Sequence, residues 1–218
     1  MGKAGVKNDT VSKCAEVEVD AHKVVDNREC AGVNTDANEK LGGESGSENL
    51  QLGTKELNEL RNKLGVPETN TVAVGKTDVK GLENIIFEGG SPAVRRAAGL
   101  PDIDIIYPYR TIKSSGKIPS ATRHAEEVVA NEFVKAVEKI GLEPEDVVGT
   151  LRIHQSNPKG VCPTCLSGLG NPMKDSGVIK QLSVKYPNLV IDVTSETVEG
   201  IKPNGRLSFK VKNGQYIE

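Results

Sequence analysis

Every aromatic side chain in this 218-residue chain, three Phe and four Tyr with no Trp, lies at or beyond Phe87. Large rings bury the most area per residue and anchor most cores, so the second part of the chain must supply the packed interior. Residues 1–65 carry 9 Lys+Arg against 12 Asp+Glu, and residues 66–218 carry 19 against 18. The first stretch also contains Gly42-Gly43-Glu44-Ser45-Gly46-Ser47, a flexible-linker composition. Residues 1–50 offer too little apolar area to offset the entropy of ordering them. The expected organisation is a low-complexity tail or linker over 1–65, with a folded domain over 66–218. The tail holds one short helix: Thr54 as cap, Leu57, Leu60 and Leu64 at helical spacing, and Gly65 as stop.

Composition removes several classes of protein. Apolar residues make up 36% of the chain and no uninterrupted apolar run exceeds three. A membrane-spanning helix needs about 20 such residues, so no membrane partner is expected. The opening Met1-Gly2-Lys3-Ala4-Gly5 carries no secretory h-region. A net charge of -2 provides no global field toward nucleic acid or lipid. Three local groups of cations, Arg95-Arg96, Lys113 with Lys117 and Arg123, and Lys202 with Arg206, Lys210 and Lys212, read first as solvated faces. Four Cys are too few for a disulfide scaffold.

The domain reads as α/β. Thr71–Val74 and Leu82–Phe87 are expected to pair as a hairpin across a Gly75–Gly81 turn, and Gly89-Gly90-Ser91-Pro92 to break the chain before a short helix over Pro92–Ala98. Residues 99–121, with three Pro, are expected to be mainly loop. Val129, Phe133, Val137 and Ile140 form one apolar stripe, and Gly141 ends that helix. Val147–His154 is an expected strand, Cys162–Leu169 a helix, Val178–Tyr186 a helix ended by Pro187, and Leu189–Val193 and Leu207–Val211 the last strands. Alternating strands and helices indicate a layered architecture.

The residues able to carry chemistry are few. Of three His and four Cys, His124 stands two residues before Glu126, and Cys162-Pro163-Thr164-Cys165 follows, each pair where a helix should begin. Two Cys at i and i+3 on a first turn lie about 5–6 Å apart at Cβ, close enough for both sulfurs to reach one ion at about 2.3 Å. His124 supplies a third ligand, and three protein ligands leave a fourth position open, as in catalytic zinc sites. Glu126, beside the metal but not bound to it, can move protons, provided His124 lies at or before the helix start. Glu127, at i+3 from His124, is its rival. A CxxC alone also suits a redox pair or half of a structural zinc knuckle. His22, Cys14 and Cys30 lie in the tail and read as structural or without a role.

His-Ala-Glu followed by Cys-Pro-Thr-Cys resembles the zinc-deaminase signature H-x-E…P-C-x-x-C, with Val161 in place of its Pro. These residues resemble the cytidine deaminase superfamily. The stretches Gly81–Pro92, Ile153–Cys162 and Leu189–Lys212 are similar to one branch of it, the deaminase toxins at the C-termini of bacterial polymorphic toxins, including those acting on double-stranded DNA. The resemblance spans roughly residues 66–215. It implies a mixed, largely parallel five-stranded sheet flanked by helices in three layers, with Zn2+ held by His124, Cys162 and Cys165 between two helix N-termini. It implies that Glu126 shuttles the proton as water converts cytosine to uracil. It places Gly89, Gly90, Ser91, His154, Asn157, Pro158 and Lys159 as candidate substrate contacts, with ordinary turn chemistry as the competing reading. It further implies nucleic acid as partner (DNA before RNA), a cognate immunity protein, and a secreted effector acting in the cytoplasm of a target cell. A deaminase of free nucleosides or nucleotides and a non-catalytic zinc module remain the other two function classes.

Overall fold

A computed structural model of the chain describes residues 50–116 and 122–217. Cys14, His22, Cys30 and residues 1–49 of the tail expected over 1–65 lie outside the described residues. Six strands form one mixed sheet in the order β2-β1-β3-β4-β5-β6: β1 Val72–Thr77, β2 Phe87–Gly90, β3 Gly149–Gln155, β4 Leu189–Ser195, β5 Ser208–Lys212 and β6 Gln215–Ile217. Only β3 and β4 run parallel, and every other neighbouring pair is antiparallel. The single parallel pair is the one joined through a helix, α5 (Val178–Lys185), as a parallel connection requires. The expected five-stranded, largely parallel sheet is therefore corrected to six strands with one parallel pair. The added strand, β6, turns back at Asn213-Gly214, both at positive φ (45° and 73°), which is the Asn-Gly hairpin signal.

Helices cover both faces. Successive strand residues point to opposite sides. Val72 and Val74 therefore pack with Leu57 and Leu60 of α1 (Thr54–Leu64) and with Val94 of α2 (Pro92–Ala97). On the other face Ala73, Leu151, Ile153, Ile191 and Val193 pack with Val129, Phe133 and Val137 of α4 (Ala125–Ile140) and with Ile179 and Leu182 of α5. Phe133 stands at the centre of that layer, edge-on to both Phe87 and Tyr186. Leu57 is fully buried, so a boundary at 65/66 would run between α1 and the sheet it covers. None of the described helices is long and apolar enough to cross a membrane.

Two local expectations differ from the structure for identifiable reasons. The second strand starts at Phe87, not Leu82. Residues 82–86 instead make a turn that buries Leu82 and leaves Ile86 exposed. Cys162–Leu169 is a run of turns rather than a helix: Pro163 brings no N–H, and Gly168 takes a left-handed φ of 83°. The described part of 99–121 is mainly loop, as expected, with one helical turn, α3 (Ile103–Ile106), capped by Asp102, whose carboxylate accepts the Asp104 N–H at 3.0 Å; residues 117–121 lie outside the described residues. Ile140, expected in the buried stripe, is 41% exposed.

Candidate metal centre

The centre is built around the start of α4. His124 is its N-cap, with extended backbone (φ -66°, ψ 165°) and no capping bond from its side chain. That leaves the imidazole turned to the cysteines: Nδ1 lies 3.2 Å from Cys162 Sγ and 3.4 Å from Cys165 Sγ. The three ligand atoms fall within 4.8 Å of one another. A tetrahedral zinc with Zn–S of 2.3 Å and Zn–N of 2.0–2.1 Å spaces a sulfur and a nitrogen about 3.6 Å apart, so the donors sit close to what such an ion requires. Two sulfurs and one imidazole are also the donor set zinc favours. These residues could hold a metal ion.

The cysteines are held by turns. Val161 pairs with Arg206 in an isolated antiparallel bridge, which delivers Cys162 to the site. The Cys165 N–H points to Cys162 Sγ at 3.4 Å, and the Cys165 carbonyl accepts the Ile179 N–H of α5 at 3.3 Å. The helix start expected at Cys162 is thus absent here. Cys162 is instead drawn below the usual thiol range, to about 4, first by the Cys165 side chain and then by His124, against the opposing effect of burial. The same sulfur pairing, together with burial, pushes Cys165 up.

Two adjacent carboxylates separate into two roles. Glu126 is buried, and it lines a 600 Å³ cavity together with His124 and Cys162. Burial pushes its carboxyl up, toward the range where a side chain can both take and return a proton. Glu127, one residue on, turns away by about 100° and is occupied. It accepts Arg110 Nε at 3.0 Å, the Arg123 N–H at 2.9 Å and the Ser114 N–H at 3.3 Å. Arg123 has a φ of 60°, a left-handed conformation that costs a non-glycine residue on the order of 1–3 kcal/mol. Glu127 therefore secures the strained residue that presents His124. Asn131, one turn further, donates to the Ile112 carbonyl at 2.9 Å and ties the same loop to α4.

The candidate substrate contacts scatter. Ser91 and Asn157 line the cavity. Ser91 caps α2, accepting the Val94 N–H at 3.4 Å. Asn157 spends its side chain on its own loop: Nδ2 donates to the Gly160 carbonyl at 3.1 Å, and Oδ1 accepts the Lys159 N–H at 3.1 Å. Gly89 and Gly90 are not loop residues but buried members of β2, and neither lines the cavity. A Cβ on Gly89 would collide with the Ala125 carbonyl oxygen, so its role is to let β2 approach the first turn of α4. His154 lies on the other face of the sheet, where Nδ1 bonds Thr194 Oγ1 at 2.8 Å. Burial pulls its pKa down, and Nε2 has no partner among the described residues. Pro158 lines an adjoining cavity, and Lys159 is exposed outside the first one.

Sequence reasoning missed Gln155, Thr71 and Arg96, which all line the cavity. Gln155 is buried, donates to Ser195 Oγ at 2.5 Å, and accepts the Asn157 N–H at 2.9 Å. Its placement at the C-terminal end of β3, beside the parallel strand β4, was the available signal. Comparison with family models, curated proteins and solved structures finds no match to this chain.

Proposed function

We propose that this protein is a zinc-dependent deaminase that converts cytosine to uracil in nucleic acid, DNA before RNA, on a cytidine deaminase-like fold. The observation that carries the reading is the convergence of His124, Cys162 and Cys165 beside a buried Glu126 that faces the same cavity. Glu126 has no place in the ligand cluster, and its neighbour Glu127 is committed to Arg110 and Arg123. The three donors lie close enough to share one ion, an arrangement that a CxxC redox pair does not require.

His124, Cys162 and Cys165 would hold the zinc, which supplies the Lewis acidity that activates water near neutral pH. Glu126 takes the proton that water gives up on attacking C4 of the base. It then passes protons to the ring nitrogen and the departing amine, so that cytosine and water become uracil and ammonia. Gln155, Ser91 and Asn157 form walls against which the ring would lie. A base within a duplex must first be flipped out, at a few kcal/mol. The motif resemblance also supports a secreted effector acting in a target cell's cytoplasm, with a cognate immunity protein as partner.

The test is a pair of measurements on one variant. Glu126→Gln should keep one zinc per chain by elemental analysis while uracil formation falls about 10²–10⁴-fold. No zinc in the native protein, or undiminished turnover in the variant, would refute the reading.

A further inference from the structure

The geometry points to a site built for a cytosine within a strand: Arg96 binds a backbone phosphate, and a second cavity takes a flanking nucleotide. This inference rests on the deaminase reading and names the substrate class of that site. Two arginines stand at the wall of the 600 Å³ cavity, Arg96 and Arg123. Arg123 is neutralised by Asp102 at 3.2 Å and Asp104 at 3.3 Å. Arg96 is exposed and pairs with no carboxylate among the described residues. The adjacent Arg95 is buried and donates to the Pro101 carbonyl at 2.7 Å, so the two arginines of the pair do different jobs. A guanidinium left unpaired beside a proton-transfer site suits an anionic group of the substrate, and its planar fork matches phosphate oxygens.

The cavity does not end at the base. Thr71 and Asn157 also line a second cavity of 560 Å³, whose walls include Arg61, Glu196, Thr69 and Pro158. Arg61 is committed there, to Glu196 and Asn58 at 3.2 and 2.8 Å. Glu68 also faces this space. With two carboxylates against one arginine, the second cavity repels phosphate and suits the hydrogen-bonding edge of a base. The two cavities thus share Thr71 and Asn157, with Arg96 on the first alone, and a lone nucleoside in the first would leave the second empty.

The test measures binding, independent of turnover. Fluorescence anisotropy of a labelled single-stranded hexadeoxynucleotide with one central cytosine is read against zinc-loaded wild type, Arg96→Gln and Thr69→Trp. Thermal melts establish that each variant is folded, and cytidine and cytidine 5′-monophosphate serve as competitors. Arg96→Gln should raise Kd for the hexamer about tenfold and reduce the salt slope by about 0.7, the single-strand value for one phosphate. Thr69→Trp, which places a bulky ring at the wall of the second cavity, should weaken the hexamer and leave the monophosphate unchanged. An unchanged hexamer Kd in Arg96→Gln would overturn the inference. So would equal weakening of hexamer and monophosphate by Arg96→Gln with no effect of Thr69→Trp, which would mark a free-nucleotide site. Hexamer binding with these dependences but no uracil from any substrate would overturn the deaminase reading and leave the binding track standing.

Discussion

The two faces of the sheet bury polar side chains to opposite ends. On the α1 face they pair with one another: Arg152 with Asp192 at 2.9 Å, Arg61 with Glu196 at 3.2 Å, and His154 with Thr194 at 2.8 Å, with Arg61 Nε and His154 Nε2 left over. On the α4 face, Glu126, His124, Cys162 and Gln155 converge on a cavity wall. Strand β3 contributes to both, with His154 on one side and Gln155 on the other, because its side chains alternate. Burial alone therefore does not mark a functional residue here. What marks the candidate site is that several polar groups share one cavity wall, Glu126 among them buried beside the His124 and Cys162 side chains.

The contrast is sharpest inside α4, where Glu127 behaves like an α1-face residue. Glu127→Gln would leave Arg110 with Asp104 as its one carboxylate partner and weaken the hold on the strained Arg123. The expected outcome is a loss of about 2 kcal/mol in urea unfolding, with zinc affinity falling alongside because His124 is no longer fixed. A variant with native stability and zinc content but no turnover would transfer the proton role from Glu126 to Glu127 and erase the distinction between them.

On the α1 face the comparison rests on packing. Leu57 is fully buried against Val72, Val74 and Val94. Leu57→Ala should cost about 2–3 kcal/mol, read as a shift in urea midpoint, with zinc content unchanged because the metal centre lies across the sheet. If stability did not change, α1 would belong with the tail rather than with the domain.

The smallest expected effect is that of His154. Burial holds its pKa below the ordinary 6.5, so the folded state favours the neutral ring. The stability this confers is complete above about 6.5 and is lost as pH falls through the lowered folded-state value. Wild type should therefore lose more stability than His154→Gln between pH 7 and pH 5. Parallel pH profiles of the two proteins would show that the ring is not desolvated in solution.

Much of this architecture was legible beforehand. The α4 stripe of Val129, Phe133 and Val137, with Gly141 in the left-handed C-cap, follows from a 3.6-residue period and a stop signal. The His124/Cys162/Cys165 set was legible because metal-ligating residue types are scarce and their spacing is constrained. Gly89 and Gly90 were misread because a glycine pair looks the same locally whether it breaks a strand or admits a neighbouring helix. The Ala125 carbonyl that forbids a Cβ at Gly89 lies 36 residues away in sequence.

What the sequence by itself determined are the properties carried by residue type and short spacing: α/β layering, the principal helix, the absence of long apolar runs, and which side chains could bind a metal. What only the tertiary structure decided is direction. Whether Glu126 or Glu127 faces the cavity, whether Arg96 or Lys159 stands at its wall, and which side of the sheet His154 occupies all depend on long-range packing. A rotation of about 100° on a helix, or one step along a strand, moves a side chain from a site into a core. Neighbouring residues of one type differ only in that angle, and it is set by elements far away in the chain.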